Sequence, residues 1–140
     1  MVWSCLVSIL PGMAQTEKLT DYVNPFVGTD GYGNVYPGAQ IPFGGIQISP
    51  DTDSRFYDAA SGYKYNHLTL MGFSLTHLSG TGIPDLGDFL FIPGTGEMKL
   101  EPGTHEDPDQ GYRSRYSHDK EWASPNYYAV PVGGINLVHT

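Results

Sequence analysis

Three features of this chain predict an all-β fold, an antiparallel β-sandwich with long glycine- and proline-rich loops. Charged residues make up only 16% of the 140 positions while Tyr numbers 10 and Phe 6, a balance that suits pleated, half-buried surfaces better than solvated helices. The 18 glycines and 11 prolines interrupt the chain at short intervals. Between those breaks the apolar residues alternate or run together briefly, and no segment sustains a helical period. Hydrophobic content of 39% over this length provides one domain with a real core and excludes a disordered chain.

Residues 1–14 are read as a truncated secretory signal. Val2 to Leu10 is apolar and Gly12-Met13-Ala14 offers small residues where a signal peptidase reads, although no Lys or Arg occurs before Lys18. A buried first strand is the alternative. The apolar run is too short to span a membrane as a helix. The only cysteine, Cys5, excludes an internal disulfide and a cysteine zinc site, and a lipid anchor on it is the weaker option. The domain proper is taken as 15–140.

Asn24 to Gly45 packs six glycines and three prolines between apolar residues. No regular helix survives that density of breakers, so the stretch reads as a stiffly turned, exposed loop system suited to building a site. Ile46 to Ser49 alternates as a half-buried strand ending at Pro50-Asp51, and Leu68 to Phe73 is a second strand. Phe89 to Ile92 is continuously apolar up to Pro93-Gly94, which predicts a strand covered on both faces. Tyr112 to Tyr116 alternates, with Tyr112, Ser114 and Tyr116 on one face and Arg113 and Arg115 on the other. Tyr127 to Val132, Gly133-Gly134 and Ile135 to Val138 read as a hairpin with a two-residue turn. A sandwich closing on so short a last strand would leave an unprotected edge, so the chain is read as part of a larger protein.

A net charge of −8 excludes nucleic acid as a partner, and no basic cluster exists for an anionic membrane. Asp85 to Asp109 carries seven carboxylates against Lys99 and reads as a solvated acidic loop. Gly31 to Tyr36 starts like a dinucleotide loop but lacks the third glycine and a following helix. Ser79 lacks the flanking glycines of a nucleophile elbow. Asp51-Thr52-Asp53-Ser54 alternates oxygen ligands without the glutamate or central glycine of a calcium loop, and reads as a turn capped by its own aspartates. His118 and Glu121 would face opposite ways on a strand, so with Asp119 and Lys120 they read as a solvated strand end.

The richer constellation runs from Phe56 to Tyr65 and from Thr76 to Gly82. Aromatic faces beside Asp58 and small hydroxyls suit a sugar, whose C–H groups pack on a ring while its hydroxyls need directed partners. An aromatic core cluster with Asp58 capping a turn is the competing reading.

Here the chain resembles glycoside hydrolase family 92, the calcium-dependent inverting exo-α-mannosidases, and specifically their N-terminal β-sandwich domain. The matching residues are Tyr22 to Gly31, Tyr36-Pro37-Gly38-Ala39, Ile41 to Gly44, Ser49 to Thr52, Ser61-Gly62-Tyr63 and Met71 to Ser74. They continue through Thr76 to Gly82, Pro84-Asp85, Gly87-Asp88, Gly111 to His118, Glu121, Ala123-Ser124-Pro125 and Tyr127-Tyr128, so the likeness covers nearly everything from Asp21 to Ile135. The resemblance implies that the acid and base carboxylates and most ligands of Ca2+ belong to a downstream (α/α)-barrel catalytic domain. No catalytic or metal residue is therefore assigned in this chain.

What it implies for these residues is one wall of a cleft for a mannose-containing glycan, built from Gly31, Gly33 and Asn34, from Phe56, Tyr57, Asp58 and Ser61, and from His77, Gly80 and Thr81. A histidine tying two loops together is the other reading of His77. The chain departs from the family where Phe56, Tyr57 and Ala60 replace common tryptophan and cysteine, where Lys64 and Leu75 replace frequent histidines, and at Tyr32 and Asn34. Those departures leave the preferred linkage open. The expected function is the substrate-cleft domain of a secreted, periplasmic or cell-surface α-mannosidase, not active alone. A non-catalytic carbohydrate-binding module is the alternative.

Overall fold

The computed structural model describes residues 17–40, 42–53, 55, 57–80, 82–133 and 135–139, the last five by their backbone. The leader at 1–14 with Cys5, and the site candidates Phe56 and Thr81, lie outside the described residues.

Among the described residues eight short strands follow in chain order: β1 (Ser49–Asp51), β2 (Thr69–Leu70), β3 (Gly72–Ser74), β4 (Leu90–Phe91), β5 (Ser114–Arg115), β6 (Trp122–Ser124), β7 (Tyr127–Val132) and β8 (Ile135–His139). They form sheets of order β1-β3-β4, β2-β5 and β6-β7-β8, and every pair is antiparallel. The helical segments among the described residues are short 3-10 turns. The all-β, antiparallel architecture expected from the composition is the one observed.

The hairpin is the best-formed element. Val132 stands opposite Ile135, the register a two-residue connection requires. Tyr128, Val130 and Val132 point inward and are buried, while Tyr127, Ala129 and Pro131 are half-buried on the other face. Pro131 sits past the last residue paired to β6, where one edge of β7 needs no donor. The inward face of β7 joins Leu70 and Tyr116 as the apolar core, with Phe26, Phe73 and Ala123 against it. Phe73 of β3 meets Tyr128 of β7 edge-on at 5.8 Å, joining the two three-stranded sheets.

Four expectations change. The strand expected at Ile46 to Ser49 starts later: Ile48 makes only a bridge to Ala39, and the strand runs through Pro50, which an edge strand tolerates. Leu68 to Phe73 is two strands, because the chain changes partner at Met71-Gly72. A Cβ on Gly72 would lie 2.8 Å from the Phe91 carbonyl oxygen, so the close approach of β3 to β4 needs glycine there.

Leu90 and Phe91 are exposed rather than covered, since β4 is an edge strand. The alternation from Tyr112 to Tyr116 fails at the arginines. Arg113 is buried and Arg115 exposed, because Arg113 turns inward to donate to Thr52 O and to Thr69 Oγ1.

The reading of 118–121 as a solvated strand end is also corrected. His118–Lys120 is a 3-10 turn, which brings His118 Nδ1 to 2.5 Å from Glu121 Oε2. The Glu121 side chain is almost fully buried and accepts hydrogen bonds from the hydroxyls of Tyr63 (2.8 Å) and Tyr128. Tyr65 stacks on the His118 ring at 4.1 Å. Burial, with the Glu121 charge beside them, pushes both Tyr63 and Tyr128 above the ordinary tyrosine pKa, so both remain donors to the carboxylate.

Candidate functional site

The glycine loop is held by its own backbone. Asp30 accepts from Gly31 N–H through its side chain (2.7 Å) and from Gly33 N–H through its carbonyl (3.2 Å). A Cβ on Gly33 would fall 2.1 Å from the Gly28 carbonyl oxygen, so the loop closes this tightly only with glycine there. Asn34 follows with φ of +48°, the left-handed region that asparagine tolerates better than most residues. Its side-chain Oδ1 accepts from Ala60 N–H (3.2 Å) and its carbonyl accepts from Gly80 N–H (2.7 Å). One buried residue thus fastens the glycine loop to the 3-10 turn Tyr57–Ala59 and to the turn after His77.

These ties leave a polar, aromatic surface facing outward. Tyr32 is 73% exposed and Tyr57 50%, with ring centroids 6.3 Å apart. Lys64 Nζ lies 5.9 Å from the Tyr32 ring centre and 2.7 Å from Asp58 Oδ2. The Lys64 hydrogen bond holds the Asp58 carboxyl below its usual pKa, so Asp58 is an acceptor and Lys64 a donor at neutral pH. The stem of Lys64 is buried, and its backbone N–H is fixed by Thr52 Oγ1 at 2.9 Å. Lys64 falls within the constellation Phe56 to Tyr65 read from the sequence, though neither it nor Tyr32 was assigned to the cleft wall. The spacing of Tyr32 along the chain gave no sign that the glycine loop would bring it to Tyr57.

Ser61 and His77 stand behind this surface. Both line a cleft of about 210 Å³ together with Asp51, Ser74 and Asp85. His77 is only 5% exposed. Its Nδ1–H donates to Gln47 O (2.8 Å), while Nε2 lies 2.9 Å from Ser74 Oγ and 3.1 Å from Asp51 Oδ1. Those contacts make His77 a tie between the strand segments 47–51 and 74–77. Gly62, at φ of +87°, crosses so close that a Cβ would lie 2.2 Å from Asp51 Oδ1. Leu86 forms a bridge with His77 at φ of +68°, a conformation costing on the order of 1 kcal/mol or more in a leucine.

A buried polar layer lies beneath. Asp53 accepts from Arg55 N–H (3.0 Å), Nε (3.1 Å) and Nη2 (2.9 Å), and His105 Nε2 lies 3.2 Å from Oδ2. Burial alone would raise the Asp53 carboxyl, but the Arg55 bonds outweigh it and hold the group well below the carboxylate range. His67 Nδ1 meets Thr52 Oγ1 at 3.0 Å, and the His67 and His105 rings are 4.1 Å apart. Burial and the neighbouring His105 lower the His67 pKa to about 4.

Asp51-Thr52-Asp53 is therefore a buried junction bonded to distant residues, and not a turn capped only by its own aspartates. Among the described residues no three His, Cys, Asp or Glu side chains are grouped to hold a metal ion. No helix among them is long and apolar enough to cross a membrane.

Residues 22–136 match the model of the glycosyl hydrolase family 92 N-terminal domain. A solved family GH92 alpha-mannosidase from Bacteroides thetaiotaomicron is 93% identical over 87% of this chain, with a TM-score of 0.84. A second solved structure from that organism, a family GH92 inverting mannosidase, is 30% identical over 85% of the chain, with a TM-score of 0.65. A secreted glycosidase of Arthroderma benhamiae is 36% identical over 73 residues, 51% of this chain. The chain spans 17% and 16% of the two solved chains and 9% of the fungal relative. It belongs to glycosyl hydrolase family 92, within which its β-sandwich is the N-terminal domain.

Proposed function

We propose that this domain, residues 15–140, supplies one wall of a mannose-binding cleft in a secreted, periplasmic or cell-surface enzyme that hydrolyses terminal α-mannosidic bonds of glycans with inversion. The general acid, the general base and Ca2+ are placed on a downstream (α/α)-barrel, because inversion needs two carboxylates spaced to admit a water and no such pair is assigned here. The domain is then inactive alone. The carrying observation is the Asn34 junction, which brings the glycine loop, the 57–61 segment and the His77-to-Gly80 turn together. It leaves Tyr32, Tyr57 and Asp58 outward, with a ring face for sugar C–H groups and a charged acceptor that the largely buried Lys64 holds in place at 2.7 Å. The likeness to solved alpha-mannosidases supports mannose over other hexoses.

The test is steady-state kinetics of a longer enzyme containing this domain. Asp58→Asn and Tyr57→Ala should each lower kcat/KM on an α-mannobiose by roughly 10- to 100-fold, the worth of about 1.5–3 kcal/mol for a charged hydrogen bond or a ring face. Unchanged kcat/KM in both variants, with the fold intact, overturns the reading.

A further inference from the structure

Asp30-Gly31 holds a carboxyl carbon and a backbone nitrogen together inside the glycine loop. It is the only Asp-Gly pair in the chain, and no Asn-Gly pair occurs. Asp30 Oδ1 accepts from Gly31 N–H at 2.7 Å, so the carboxyl carbon, one bond of ~1.2 Å further, lies within about 4 Å of that nitrogen. The N–H points at the carboxyl group, and the electron pair left on its loss points the same way. Both residues are exposed, and Gly31, at φ of +59°, has nothing within 4 Å of where a Cβ would stand. No side chain on Gly31 screens the nitrogen or resists the closing of a five-membered ring.

Asp85-Leu86 supplies the comparison within the same molecule. Leu86 N–H donates to Asp85 Oδ1 at 2.8 Å, both residues are exposed, and Leu86 also has a positive φ, +68°. The contact is the same, but the branched side chain of leucine crowds the approach that glycine leaves open. At Asp53 both carboxylate oxygens are instead held by Arg55.

We infer that Asp30-Gly31 is a site of spontaneous backbone modification, where the loop converts to an isoaspartyl linkage through a cyclic imide. Loss of the Gly31 amide proton lets the nitrogen's electron pair form a bond to Asp30 Cγ, and the carboxyl hydroxyl leaves with a proton as water. Water then adds at the Asp30 main-chain carbonyl, breaking its bond to nitrogen and leaving Gly31 joined through Cγ. Addition at Cγ instead restores the original linkage. One water is lost and one regained, nothing is oxidised or reduced, and no co-reactant besides water is needed. The product carries one extra carbon in the main chain. The Asp30 carbonyl, which accepts from Gly33 N–H at 3.2 Å, is then no longer part of that chain, so the turn that closes Gly33 onto Gly28 is lost. The modification does not depend on the sugar-cleft reading.

The experiment holds the full 140-residue chain at neutral pH and body temperature for several weeks, in buffer and in guanidinium chloride. Tryptic fragments 19–55 and 65–99 carry the two pairs separately. They are analysed by liquid chromatography and mass spectrometry, with electron-transfer fragmentation to place isoaspartate at a residue. In buffer, isoaspartate should accumulate at Asp30, with a smaller species lighter by one water, and should lag several-fold at Asp85. Guanidinium chloride, which releases the 2.7 Å contact, should slow the conversion at Asp30. Gly31→Ala should slow it several-fold, and Asp30→Asn, whose amide gives up ammonia to form the same imide, should speed it. No isoaspartate at Asp30, equal conversion at Asp30 and Asp85 in buffer, or faster conversion in guanidinium chloride overturns the proposal. If Gly31→Ala fails to fold, the two fragments of the native chain decide.

Discussion

Acid should loosen this domain first through His67. Its ring sits 4.1 Å from His105, and burial with that neighbour brings its pKa to about 4 against an ordinary 6.5. Between those values the unfolded chain binds a proton that the folded chain refuses, so stability falls as pH drops from 6.5 towards 4 and is unaffected by this group above that window. Full protonation would cost about 3.5 kcal/mol, at ~1.4 kcal/mol per pH unit of separation, and the part lost between pH 7 and pH 5 is about 2 kcal/mol. His105, lowered by burial and by Arg113, adds in the same direction. Asp53 acts in a lower window. Its stabilisation is present above the ordinary carboxylate pKa of 3.8 and is lost as pH falls below it.

The assay is urea unfolding followed by circular dichroism at half-unit steps from pH 7.5 to 4.5, with His67→Asn beside the native chain. Asparagine keeps a polar group near Thr52 but cannot titrate. The variant should therefore lose about 2 kcal/mol less than the native chain between pH 7 and pH 5. Parallel pH profiles for the two proteins would refute the assignment.

Other substitutions probe separate joints. Tyr63→Phe deletes a hydroxyl donating to the buried Glu121 carboxylate and should cost about 2 kcal/mol in urea unfolding. Gly62→Ala meets Asp51 Oδ1 at 2.2 Å as well as a left-handed backbone, and should cost at least about 2 kcal/mol, read as a fall in the thermal midpoint. Gly31→Ala is the matched control: its φ is +59° but nothing lies within 4 Å of the added carbon, so only about 1 kcal/mol should be lost. Similar losses for the two glycine variants would show that the contact with Asp51 carries no weight.

The parts of the fold legible in the sequence are those decided by neighbours along the chain. The β7–β8 hairpin followed from alternating Tyr128, Val130 and Val132 before a glycine pair, and its register agrees. The glycine loop was legible as a rigid turn system for the same reason. The polar layer was not, because its members meet across long separations: Asp51 and His77 are 26 residues apart, Asp53 and His105 are 52, and Thr52 and Arg113 are 61. Local periodicity carries no information about such pairs. His118 and Glu121 were misjudged because a 3-10 turn puts residues three apart on the same side, where a strand would oppose them. At the site, Tyr57 and Asp58 were found from their chemistry within a constellation that included Lys64, whereas Tyr32 was gathered to them by the glycine loop.

The small apolar core makes the polar layer decisive for the outward surface. Leu70, Tyr116, Tyr128, Val130 and Val132 secure the hairpin side, yet among the described residues none of them is hydrogen-bonded to the 57–61 turn or the glycine loop. The segment that follows the 57–61 turn depends instead on Thr52, whose hydroxyl accepts Lys64 N–H and meets His67 Nδ1, and whose backbone N–H donates to Gly62 O. When His67 is neutral its Nδ1 can accept from the Thr52 hydroxyl, leaving the hydroxyl oxygen free to accept from Lys64 N–H. Protonation turns Nδ1 into a donor and sends two donors to the same oxygen, with the hydroxyl hydrogen left to the weaker Gly62 O contact at 3.5 Å. The first joint to give in acid is therefore the one under Lys64, and through the 2.7 Å Lys64–Asp58 pair the outward surface should lose its order before the hairpin does. Amide exchange at pH 5 tests that order: Lys64 and Gly62 should exchange faster than Tyr128 and Val130 by more than they do at pH 7, and an equal change in all four would place the acid-sensitive joint elsewhere.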